Sequence, residues 1–262
     1  MSGTRLGPWG EARAARANGG RQAPPPPPAY RQPDQQSLGW ALASTALLAG
    51  YLWWAMGSWI YPVAGVIGVF VHEFGHVLAF NLLGMGPGRI FIVPFLGGAA
   101  APRVPADTEW KDVLSSLAGP IVGLLAALPF YGLFVATNDE TWLRGAQFIA
   151  IINLLNLLPA PPLDGSKALG PVLARVHPIL EKVALIAVGA AVIVWSITNA
   201  RSIAGWIFPA FIAIVLFSHL RGGALRPYAR PLSWGGAGAS LLLYLVTVGI
   251  CVAAAVFFTF QF

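Results

Sequence analysis

A chain of 262 residues that is 56% hydrophobic and only 10% charged carries too little charge for a water-soluble globule, in which about a quarter of residues are charged. Its mean hydropathy of +0.68 fits a polytopic membrane protein. The net charge of +6 comes from basic residues scattered through a tail and the segments between apolar runs. That scatter fits control of membrane topology and gives no basic stripe for nucleic acid, so no nucleic-acid partner is expected.

Residues 1 to about 37 read as a disordered, basic, proline-rich tail. Arg5, Arg13, Arg16, Arg21 and Arg31 outnumber its acids, and Pro24 to Pro28 form an unbroken proline run. Such a segment cannot bury a core and favours polyproline II. Apolar segments follow at about 40–60, 62–83, 114–136, 143–158, 183–197, 203–217 and 240–260. Each approaches the length that a bilayer core requires, with the fourth to sixth a little short. The expected fold is an all-α polytopic membrane protein with about six to seven transmembrane helices. The single cysteine, Cys251, lies in an apolar run and excludes both an intrachain disulfide framework and a cysteine-based metal site.

The loops suggest an orientation. With the tail in the cytoplasm, the short acidic loop holding Asp139 and Glu140 falls outside. Lys167, Arg175, Lys182, Arg221, Arg226 and Arg230 fall inside, and only Arg144 and Arg201 run against the positive-inside rule. Trp53, Trp54, Trp59, Trp142 and Trp195 then gather towards the outer interface, and the C-terminus lies outside. The expected location is the cytoplasmic membrane of a bacterium.

Between the second and third segments, Ile90, Phe91, Ile92 and Val93 form a β-prone run, and Gly97 and Gly98 suit a tight bend. We expect a small membrane-associated β-hairpin there. Unpaired backbone cannot face lipid, so the hairpin should pack on neighbouring helices.

The chemistry begins at His72-Glu73-Phe74-Gly75-His76. On a helix, His72 and His76 lie one turn apart on one face, so two imidazoles can converge on one zinc ion, with Glu73 placed as a base. Ionisable groups inside a membrane segment mark function by default. Two histidines do not complete a catalytic zinc site, for which three protein ligands are usual. Asp164 is the candidate third. It follows Pro159, Pro161 and Pro162, which must break the fourth helix, and it precedes Gly165, expected to permit a turn at positive φ. Asn156 could donate to substrate or to a developing oxyanion, or simply tie helices together. Asn153 could line the cavity or bond a neighbouring helix. His177, His219 and Lys167 read as interfacial residues.

These stretches resemble the site-2 proteases, zinc metalloproteases that cut within membranes. His72 to His76 matches that family's H-E-x-G-H form. Asn156, Pro159, Asp164 and Gly165 match its N-x-x-P-x-x-x-x-D-G motif. Pro94, Gly97 and Gly98 look like its hairpin glycine pair, and Ala118-Gly119-Pro120 like its A-G-P turn. The resemblance covers about Val63 to Gly165. It departs at Gly123, where the family often has asparagine.

The resemblance implies one zinc per chain on His72, His76 and Asp164, with Glu73 as catalytic base. It also implies that Gly97 and Gly98 help to present an unwound substrate. The expected function is intramembrane endoproteolysis of single-pass or other membrane-protein substrates. The expected domain covers 38–262, with a catalytic core at about 62–166. A catalytically silent scaffold of the same fold is the alternative, though it has no need of Glu73. A metal transporter is less favoured, because the sequence lacks a second ligand-rich helix and a histidine-rich loop.

Overall fold

The protein is represented by a computed structural model, which describes residues 32–94, 97–199, 207–221 and 230–261. The tail to residue 31, Arg201 and Arg226 lie outside those residues, as does the side chain of His219. Among the described residues the architecture is the expected one, a helical membrane protein with one two-stranded sheet.

Helix α1 spans Leu38–Met56. Ser37 caps it by accepting a hydrogen bond from the Trp40 N–H, and Gly57 ends it at φ 70°, a left-handed conformation that suits glycine. Helix α2, Ile60–Leu82, packs against α1, both strands and the helices at 109–123 and 140–156. Strands β1, Arg89–Val93, and β2, Gly97–Ala101, form the antiparallel hairpin, with Ile92 opposite Gly98.

Helix α3, Glu109–Gly123, is capped by Thr108 and carries Glu109 and Asp112 in its first turn, where the helix dipole favours negative charge. Pro120 lies inside it and has no N–H to offer the preceding turn. The helix then tightens into a 3-10 turn at Leu124–Ala126 and continues as α4, Ala127–Thr137. Helix α5 is Glu140–Asn156, α6 Asp164–Val176, α7 Pro178–Asn199, α8 Ile207–Arg221 and α9 Trp234–Thr259.

Among the described residues, five stretches are long and apolar enough to cross a membrane: α1, α2, Glu109–Thr137, Ile179–Thr198 within α7, and α9. Helix α5 has 17 residues and α8 has 15. Helix α6 lies between the apolar segments read from the sequence, where only a turn at Gly165 is expected. It forms because one side, including Ala168, Pro171 and Val172, is buried against α3 and α9, and burial outweighs weak propensity.

The core has two main parts. One joins Ile60 and Ala64 of α2 to Phe130 of α4 and to Leu143, Ala146 and Ile149 of α5. The other joins Val113 and Leu117 of α3 to Leu157, Ala168, Tyr244 and Cys251. Cys251 is thus buried between helices.

Residues 32–37, assigned to the tail by composition, lie beside the hairpin. Gln32 donates to Pro87 O at 3.0 Å, Arg89 donates to Pro33 O at 2.8 Å, and Gln36 bonds the backbone of Ile92.

Candidate metal centre

The site forms where α2 and α3 touch. Gly75 allows the contact: a Cβ there would stand 2.6 Å from Ala118 O and 2.8 Å from Val122 Cβ. Next to Ala118 on α3, Gly119 lies directly over the imidazoles of His72 and His76, in space that a methyl group would take. The small residues of the two motifs are therefore what lets the helices close on the site.

His72 and His76 are buried and point together from α2, their rings 4.8 Å apart in a T-shaped arrangement. Each ring is oriented through its far nitrogen. The His76 Nδ1–H donates to Ser115 O at 2.7 Å, and the His72 Nδ1–H donates to Asn153 Oδ1 at 2.9 Å. Both bonds leave an Nε2 lone pair facing inward, as ligating histidines require. The two Nε2 atoms are 3.1 Å apart.

Asp164 comes from the other side. Helix α5 ends at Asn156, and the chain turns through Pro159, Pro161 and Pro162 into α6, whose first residue is Asp164. Its Oδ2 lies 3.0 Å from His72 Nε2 and 3.2 Å from His76 Nε2. The carboxylate thus sits in the first turn of a helix, where the dipole favours it.

Gly165 is also not the turn residue expected from the sequence. It is helical, with no positive φ, and glycine is needed because the carbonyls of Leu157 and Leu158 crowd the place of a side chain. The Tyr244 hydroxyl of α9 donates to Leu157 O at 2.8 Å and holds that turn.

Three lone-pair atoms within about a hydrogen-bond distance of one another, in a buried place, repel unless a cation or shared protons lie among them. His72, His76 and Asp164 are the group among the described residues that could hold a metal ion. Ligand atoms on a tetrahedral zinc, at about 2.0–2.1 Å from the ion, stand roughly 3.3 Å apart, close to the separations found. Two imidazoles and a carboxylate are also a donor set used by catalytic zinc. The residues present therefore fit the metal.

Glu73 is buried beside the cluster, next in sequence to His72. Strand β2 packs on α2 at this point: a Cβ on Gly98 would stand 2.5 Å from Glu73 Cγ and 2.9 Å from Val69 Cγ1. Gly97 begins the strand at φ 120°, open only to glycine. Gly98 is thus brought to Glu73, and Gly97 to Val69.

Asn156 is not brought to the cluster; its amide donates to Ile152 O within its own helix at 3.1 Å. Asn153 is the asparagine that reaches it, fully buried and also bonded to Ile149 O. Gly123, the departure from the family pattern, faces Asn153, whose amide fills the space a side chain at 123 would take. The Ser115 carbonyl is a backbone group and left no sequence signal. His177 stands apart, exposed, where its Nδ1 accepts from the Ile179 N–H at the start of α7.

The sequence profile of peptidase family M50 matches residues 62–148, which hold both histidines, Glu73, the hairpin and the α2–α3 contact. Among curated proteins, the chain is 30% identical over 159 residues to sll0528 of Synechocystis, provisionally named a zinc metalloprotease, covering 58% of this chain and 41% of that protein. It is 25% identical over 122 residues to the zinc metalloprotease MJ0392 of Methanocaldococcus jannaschii, covering 44% of this chain and 34% of that one. It is 30% identical over 179 residues to Rip2 of Mycobacterium tuberculosis, also provisionally named a zinc metalloprotease, covering 50% of this chain and 68% of Rip2. The chain therefore spans less than half the length of the first two relatives and about two thirds of Rip2. With a family profile matched at 62–148 and a relative 30% identical over 68% of its length, the chain belongs to peptidase family M50, the site-2 protease family.

Proposed function

We propose that the protein is a zinc endopeptidase that hydrolyses peptide bonds in or near the transmembrane segments of other membrane proteins. The observation that carries this reading is the meeting of His72, His76, Asp164 and Glu73 in one buried place, with a glycine-rich strand against Glu73. His72, His76 and Asp164 hold the ion, one per chain. Zinc in that position supplies a Lewis acid that polarises a carbonyl and acidifies water.

The protein's own groups do the rest. The Glu73 carboxylate takes the proton of the attacking water and returns it to the leaving amine. Asn153 and Ser115 O keep both Nε2 lone pairs inward. Strand β2 holds the substrate extended, since a peptide bond inside a helix is shielded from attack. Gly97 and Gly98 let strand β2 approach α2, so that a segment paired with that strand lies beside Glu73. Asn156 bonds its own helix, so an oxyanion role for it requires a rotamer change on substrate binding. The domain extends over about 38–262 with its catalytic core at 62–166, the N-terminus is cytoplasmic, and the membrane is the cytoplasmic membrane of a bacterium.

The test is direct. Protein purified into proteoliposomes should hold about one zinc per chain and cleave a membrane-spanning model peptide. Glu73→Ala should lower cleavage by at least about a hundredfold while keeping the metal. Cleavage at the normal rate by that variant would overturn the mechanism. Zinc bound with no cleavage of any spanning peptide would favour a silent scaffold.

A further inference from the structure

The hairpin has two outer edges, and they are not equivalent. On β1, Gln36 treats the strand as a neighbouring strand would. Its Oε1 accepts from the Ile92 N–H at 3.0 Å, and its Nε2 donates to Ile92 O at 2.9 Å. A glutamine amide carries a donor and an acceptor, as a peptide group does, so it can satisfy both. Gln32 at Pro87, Pro33 at Arg89 and Gln36 at Ile92 show residues 32–36 running alongside β1 in the same direction.

The consequence for β2 follows from antiparallel geometry. Ile92 gives its N–H and C=O to Gln36, so it forms a non-hydrogen-bonded pair with Gly98 opposite. In such a pair both residues turn their polar backbone groups away from each other. Gly98 therefore directs its N–H and C=O to the outer edge of β2, and so does Ala100, two residues on. These groups have no partner on that side among the described residues. Gly98 is also the residue lying against Glu73.

We propose that Gln36 is a positioning residue whose side chain stands in for a third strand on β1, leaving the outer edge of β2 at Gly98 and Ala100 to receive an extended substrate segment beside Glu73. This rests on the protease reading above. An open strand edge captures any extended chain. Two open edges would compete for one substrate, and only that of β2 holds it next to the base. Gln36 removes the competitor.

Crosslinking in proteoliposomes tests this. The full chain would carry Cys251→Ser and Glu73→Gln, plus either Ala100→Cys on β2 or Ile90→Cys on β1. The probe is a membrane-spanning model peptide with a Gly-Pro pair at mid-span and one cysteine, moved along the residues around that pair. Under mild oxidant, disulfides should form at Ala100→Cys and stay at background at Ile90→Cys. Adding Gln36→Ala should bring Ile90→Cys to a comparable yield. In the chain with Glu73 intact, Gln36→Ala should raise KM several-fold, and more than it lowers kcat.

Crosslinking at Ile90→Cys with Gln36 in place would overturn the proposal. So would faster cleavage by Gln36→Ala, which would make Gln36 a plug on the productive edge. Cleavage of the peptide with no crosslink at either strand would overturn it too, while leaving the protease reading standing. An intact chain that cleaves nothing would remove the protease reading and this proposal with it.

Discussion

The two halves of the metal centre are built by different means. The α2 half is a regular helix: one turn spaces His72 and His76, and a hydrogen bond at each far nitrogen fixes the ring. The Asp164 half is a proline-rich turn running into a short helix, held by the crowding of Gly165 against Leu157 and Leu158 and by Tyr244. In the first half, periodicity does the placing and side chains refine it. In the second, irregular backbone does the placing, so its precision depends on contacts from α9. The first should fail locally when altered, and the second should fail through its supports.

Direct removal of ligands comes first in size. His72→Ala and Asp164→Ala should each weaken zinc binding by more than about a hundredfold, beyond the effect of losing a supporting group. Competition with a chromophoric chelator measures it. Equal losses would mean that the halves contribute alike, whereas near-native affinity in Asp164→Ala would remove it from the ligand set. Gly119→Ala should come next, because its methyl group enters the space of both imidazoles. Zinc content should drop sharply while Gly132→Ala, in open space on α4, leaves it intact.

Supporting groups should matter less. Asn153→Ala leaves the His72 ring free to turn and should cost about 10–100-fold in zinc affinity. Tyr244→Phe removes one hydrogen bond, worth about 1 kcal/mol, so the affinity loss should stay within about tenfold. A loss at Tyr244 as large as that at Asn153 would show that the loop half is the more fragile.

The smallest effect lies away from the site. The Asp107 carboxyl is hydrogen-bonded by Lys111, with Arg230 nearby, and is held below its ordinary range. A depressed carboxylate contributes stability above its unfolded pKa and loses it as pH falls through the folded value. Asp107→Asn should therefore shift thermal stability only slightly at neutral pH, with that difference disappearing in acid below about pH 4.

The same contrast decides what the sequence discloses. His72, Glu73 and His76 are legible because chemistry and helical period coincide in five residues. Asp164 is legible as a carboxylate in an apolar setting, but its local structure is not. Gly165 suits a positive φ and instead answers to two carbonyls seven and eight residues earlier. Helix α6 is masked by glycine and proline, and only its neighbours make it a helix. Asn153 and Asn156 are one turn apart, and which one meets His72 depends on the rotation of α5 against α2. The β-hairpin is legible from its β-prone run and its glycines. The contact of Gln36 with Ile92, 56 residues away, leaves no local pattern.

One small junction bears on how many times the chain crosses. Arg230 N donates to Asp107 O, Glu109 N donates to Arg230 O, and the Leu232 N–H donates to the Glu109 carboxylate. The beginnings of α3 and α9 are thereby tied together, on one side of the bilayer. Arg175, near the end of α6, lies 4.8 Å over the Trp234 ring at the start of α9, so α7 departs from that side as well. A chain that leaves by α7 and must be back before α9 makes an even number of passes between them. Helix α8, 15 residues long and packed on α7 where Gly189 meets Leu216, is the described helix that would make the return. A return by α8 would make a crossing of a helix whose length alone does not qualify it.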